Sequence, residues 1–147
     1  MKALSINLKE AYKGLDELQV NLLGGYQDDL LEELGDYLVR SVSERIKDTK
    51  ENPFGRDWQE WATGTRRQRE KKGNVAQGLL WDSGDLLRSI KAEIRPSQVA
   101  VGSQLAYAEW LQEGTEHMPS REFLGFSNAD LEAIDTITES FIARITR

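Results

Sequence analysis

Cysteine is missing from all 147 residues, and that absence excludes a disulfide framework, a thiolate zinc site and a cysteine nucleophile together. It also fits a reducing compartment. Histidine is nearly missing. His117 stands alone in the stretch EHMPS, with no matching ligand set for a metal and no partner for acid–base work, so a solvated loop histidine is the expectation. Neither a GxxxxGK[ST] phosphate cradle nor a GxGxxG turn after a strand occurs. No apolar run approaches the roughly 20 residues that a spanning helix needs. The opening MKALSINLKEAY lacks the apolar stretch of a signal peptide. A protein made in the cytosol, with no membrane partner, is expected.

Ser83 sits in DSGD, but a serine nucleophile needs a base and an oxyanion site, and turn chemistry explains Asp82-Ser83-Gly84 more simply. Asp and Glu number 25, so a carboxylate-based hydrolase has abundance in its favour and nothing else. Most of these side chains are interleaved on expected helices, where a solvated face accounts for them. No motif supports an enzyme, and no cofactor or metal is expected.

What is present suits one soluble domain spanning 1–147, with 39% hydrophobic and 30% charged residues. A net charge of −6 argues against nucleic-acid binding by the whole surface, though not by a local patch. Leu4, Ile6 and Leu8 alternate with polar residues, as in a short strand or extended lead-in. Residues 9–22 read as a helix with Leu15, Leu18 and Leu22 on one face, broken at Gly24-Gly25. The strongest helix runs from about Gln27 to Lys47, with Leu31, Leu34, Leu38, Val42 and Ile46 as its stripe. Ile90, Ala92 and Ile94, then Val99 and Val101, alternate about the turn Arg95 to Gln98 and predict a β-hairpin at about 87–102. Ile90, Ile94, Val99 and Val101 are expected to be its buried face. A short helix follows at about 105–113, stopped at Gly114. Ser127 with Asp130 forms a capping box for a last helix at about 128–146. The class is α+β: N-terminal helices, a small antiparallel sheet built on the hairpin, and a C-terminal helix. Glu122 to Phe126 reads as a short strand or extended link, with Phe123 and Phe126 either core or interface.

The stretch 52–78 differs. From Lys50 to Gly78 there are seven basic and four acidic residues, a local +3, with little apolar periodicity. A long mobile loop is expected there. Within it Trp58, Trp61, Arg66, Arg67, Arg69, Lys71 and Lys72 could clamp a phosphate backbone and stack bases. A small nucleic-acid-binding or regulatory protein using 58–72 is therefore one reading. A charged loop that orders against an acidic neighbouring subunit is the other. Trp81 and Trp110 fit core or interface anchors better than ligand platforms.

Three ordered segments go beyond pattern. Ser83, Gly84, Leu86, Ser89 and Ile90 match a (T/S)G-L-x-x-S-I element with Asp85 intervening. Val101, Gly102, Ser103, Tyr107, Ala108 and Gly114 match V-G-(S/T)…Y-A…G. Pro119, Arg121, Phe123, Leu124 and Gly125 match P-x-R-x-F-L-G. In this order and spacing, over roughly Trp58 to Asp130, the chain resembles the virion morphogenesis, or tail-completion, family of Mu-like tailed bacteriophages. It departs where that family often carries a histidine before the glycine matched by Gly114; here the stretch is EWLQE. The resemblance implies a structural protein in the virion at the head-proximal end of the tail, made in the host cytoplasm. It implies a homo-oligomeric ring, sixfold like tail tubes, with the tail-tube protein and the head connector as partners. Nucleic acid would be met only as a genome passing through. The candidate assembly residues are Trp58, Trp61, Arg66, Arg67, Arg69, Trp110, Arg121 and Phe126. Gly84, Leu86, Ser89, Ile90, Gly102, Tyr107, Gly114, Phe123, Leu124 and Gly125 would be structural. Asp28, Asp29, Glu32 and Glu33 would receive the basic segment of the next subunit.

Overall fold

The structure is a computed structural model that describes residues 2–7 and 24–146; the helix expected over 9–22 lies outside them. Its longest early element, α1 (Gln27–Glu44), buries Leu30, Leu31, Leu34, Leu38 and Val42 on one face. A turn of π-helix, Arg45–Thr49, carries Ile46 into the same core. Gly35 would cost a helix interior about 1 kcal/mol against alanine. Here it permits close approach, since a Cβ at this position would stand 2.9 Å from Ala92 Cβ and 3.0 Å from Val99 Cγ2. Helix α1 can thus press directly onto the sheet.

That sheet has three antiparallel strands in the order β1 (Lys2–Asn7), β3 (Gln98–Ser103), β2 (Lys91–Arg95). Leu4 and Ala92 both pair with Val101, and Ile6 and Ile94 with Val99. The central strand is buried, with Val99, Ala100 and Val101 all at 0% exposure. The expected hairpin exists, but its bounds move from about 87–102 to 91–103. Asp85–Ser89 forms a helical turn, α3, and Ile90 is buried at its end rather than within the strand. Ile94, expected in the core, is 38% exposed. It sits on the outermost strand, where a neighbour covers one side only.

The stretch 52–78 is corrected from a long loop to a structured segment. It contains α2 (Thr63–Lys72) and a 3-10 turn at Val75–Gln77. Helix α2 has almost no apolar face, so it left no periodic signal. What holds it is a set of polar anchors to distant residues. Arg69 is buried and donates from Nη1 to the Trp81 carbonyl at 2.6 Å. Lys72 and Asn74 both donate to the Asp82 carboxylate, at 3.1 and 2.6 Å.

Helix α4 (Ala106–Glu113) and helix α5 (Asn128–Ile145) fall where expected. The capping box forms: Asp130 N donates to Ser127 Oγ at 3.0 Å, and Ser127 N donates to Asp130 Oδ2 at 2.9 Å. Helix α5 packs on α1, and Arg144 reaches Glu33 at 2.6 Å on the surface. Residues 119–127 make no strand; they run as an irregular link.

Candidate assembly surface

The link PSREFLGFS is fixed from three sides, by side chains rather than by a β-ladder. From α1 and its π-helical turn, Tyr37, Ser41 and Arg45 recur every fourth residue and so share one face. Tyr37 Oη and Ser41 Oγ donate to Asp130 Oδ1 at 3.0 and 2.6 Å, while Arg45 Nη2 donates to Asp130 Oδ2 at 3.2 Å. Arg45 Nη1 reaches the Phe123 carbonyl at 2.6 Å. Both members of the Arg45–Asp130 pair are buried. Burial works to raise the Asp130 carboxyl. The hydrogen bonds from Ser41, Ser127 and Tyr37 outweigh it and hold the group below its ordinary value. Burial, reinforced by that carboxylate, pushes Tyr37 up to about 12.

From α4, Gln112 does the work of a missing strand. Its Oε1 accepts from Phe123 N at 3.1 Å and Leu124 N at 3.0 Å, and its Nε2 donates to the Leu124 carbonyl at 2.9 Å. From the segment before α2, Trp58 Nε1 donates to the Glu122 carbonyl at 2.8 Å. In return Arg121 donates to the carbonyls of Gln59 and Glu60 at 2.7 and 3.1 Å. Phe123 ends at 0% exposure and Leu124 at 6%. Phe123 is therefore core, and Phe126 is half-buried against it. Gly125 lies against Pro53.

These contacts sort the expected assembly residues. Trp58, Arg69 and Arg121 are buried within the protomer and cannot serve as anchors for a partner. Trp61 is half-buried, with the Arg69 guanidinium 4.9 Å from its ring centre. Arg66 is exposed and faces Glu60 and Glu70, Arg67 is exposed, and Trp110 is 57% exposed. Of the acidic residues set against them, Asp28, Asp29 and Glu32 are exposed, but Glu33 is already engaged by Arg144. Among residues not anticipated, Lys50 is half-buried and donates to the Ile46 and Leu79 carbonyls. Burial, then the nearby Arg69 charge, lowers its amine to about 8.

Three of the family-motif positions, Gly84, Leu86 and Tyr107, line an open groove of about 490 Å³, walled by α2, α3, α4 and the 117–121 link. Gly84 starts α3 at its edge. Behind it Ser89 Oγ bonds Ser103 Oγ at 2.7 Å, and Gly102 is buried in β3. Tyr107 is raised by burial and by the neighbouring Asp85 and Asp82 charges. Gly114 closes α4 at φ +76°, where a Cβ would stand 2.6 Å from Ser120 N. Gly114→Ala is expected to cost about 1–3 kcal/mol of strain, read by denaturant unfolding. A loss under about 0.5 kcal/mol, the level of an ordinary surface change, would contradict that placement.

A family model described as the phage virion morphogenesis family matches residues 6–143. The chain is also 23% identical over 111 residues to "Mu-like prophage FluMu G protein 1" of Haemophilus influenzae, covering 75% of this chain and 76% of that one. No solved structure matches.

Proposed function

Since the chain belongs to the phage virion morphogenesis family, which gives it a role in assembling the phage particle, we propose that it completes the tail. In this reading it sits at the head-proximal end as a ring of identical copies, offering one face to the tail tube and the other to the head's connector. Its mechanism is surface complementarity rather than bond chemistry.

The observation that carries the reading is the uncovered aromatic face of α4. Tyr107 and Trp110 stand three residues apart on one helix face, 39% and 57% exposed. Tyr107 also opens into the groove. Indole and phenol rings held in water beside an apolar groove are the composition of an interface core. The nucleic-acid reading fares worse. Arg69 is buried, and Arg66 and Lys72 each face acidic neighbours. That leaves Arg56, Arg67 and Lys71 as the cations of the segment without an ion pair among the described residues, too few for a phosphate track.

Trp110→Ala tests the reading. The variant is expected to unfold within about 0.5 kcal/mol of the parent, as an exposed substitution should. Head–tail joining in extracts should fall by roughly tenfold or more, as when a central aromatic anchor is lost. Full joining activity in the variant would count against an α4 interface.

A further inference from the structure

Phe54 is 76% exposed, more than any other large apolar side chain among the described residues, yet nothing about its backbone is loose. Asn52 Oδ1 accepts from both Phe54 N and Arg56 N at 2.9 Å. Asn52 N donates to the Arg56 carbonyl at 2.8 Å, and Glu51 bridges Asp57 across the base. Pro53 is buried against Gly125. The turn is thus a fixed mount that holds a phenyl ring in water. Because its ordering cost is already met within the protomer, the ring is a preorganised anchor.

The groove has matching chemistry. Trp61, Leu80, Leu111 and Met118 supply apolar walls, and Asp82 and Asp85 stand on its rim. Two residues beyond Phe54, the exposed Arg56 side chain makes no ion pair among the described residues. On the rim, Asp85 is held by Ser83 and by Arg88, the latter at Oδ1, and a carboxylate has lone pairs enough to accept a further cation. An aromatic followed by a cation thus matches a slot with apolar walls whose lining also carries Arg69 and Arg121, and whose Asp82 is held by Lys72 and Arg69, so that Asp85 is the carboxylate left for it. We propose that the Asn52–Arg56 turn of one copy inserts into the groove of the next, with Phe54 between the apolar walls and Arg56 at the Asp85 carboxylate on the rim.

This inference rests on the ring reading and names its contact. The turn and the groove are different surfaces of the same chain, so the contact is heterologous and propagates from copy to copy until rotation closes it.

The test places the photo-cross-linker p-benzoylphenylalanine at position 54 of the full chain in assembled particles. The expected product is a dimer-sized adduct of this chain, joined within 61–69, 80–86 or 107–121. An adduct to a different protein, an adduct elsewhere on this chain, or none at all overturns the proposal. Copies per particle, counted in the same preparation, separate the two failures. Several copies without the adduct sink this contact and leave the ring; a single copy sinks both. Phe54→Ala should enter particles at least tenfold less well with its unfolding midpoint unmoved, and equal incorporation would contradict the role of the ring.

Discussion

Asp130→Ala is expected to cost the protein about 3–5 kcal/mol, the loss found when one partner of a buried ion pair is removed and the other left uncompensated. Four stabilising features fail together. The first turn of α5 loses its reciprocal cap, Tyr37 and Ser41 lose their acceptor, and Arg45 keeps a buried charge with only carbonyls to answer it. Asp130→Asn keeps an acceptor and loses the charge, so it should fall between the parent and alanine. The pH dependence follows from the direction of the shift. The folded carboxyl titrates below its unfolded value of about 3.9, so its stabilisation is fully present above that value. It is lost as pH falls through the folded pKa. The gap between parent and Asp130→Ala should therefore be constant near neutrality and shrink below about pH 4. Denaturant unfolding at several pH values measures it. A gap that stays level into acid would mean that the charge contributes nothing.

Phe123→Ala is expected to cost about 3–5 kcal/mol as well, for a different reason. The ring is fully enclosed, so truncation leaves a cavity as well as losing the transfer energy of the removed atoms. Its backbone is pinned by Gln112 and Arg45, so the link cannot easily collapse to fill the space. Unfolding of the protomer is the measurement. Near-parental stability would place the ring at an interface and contradict its position in the core.

These two residues mark where the sequence was readable and where it was not. The Ser127–Asp130 cap is local, three residues apart, and the pattern alone reveals it. The Asp130–Arg45 pair joins residues 85 apart in the chain, and no periodicity reports on such a contact. The stripe of α1 was legible because it repeats at helical spacing over about four turns. Helix α2 was not, because Arg69 and Lys72 hold it through polar bonds to Trp81 and Asp82, and hydrophobic pattern is blind to these. Ile94 shows the opposite error: its alternation was read correctly as a strand, but alternation does not distinguish a central strand from an edge. For the candidate surface, the motifs marked Leu86 and Tyr107 only as structural positions, and the groove they line emerges from packing. Aromatic content suggested Trp58 and Trp110 equally, and only packing separated the buried one from the exposed one. Gln112 could have been found by asking what satisfies the backbone of a buried segment without a strand.

In the proposed assembly, copies of this chain form a ring closing the head-proximal end of the tail. Imaging of the assembled particle, with this protein's density identified, tests that directly. The expected result is a closed ring of six copies between tail tube and connector, with α4 and the groove at the contacts between copies. Density for this protein as a single copy, or its absence from that end of the tail, would contradict the account.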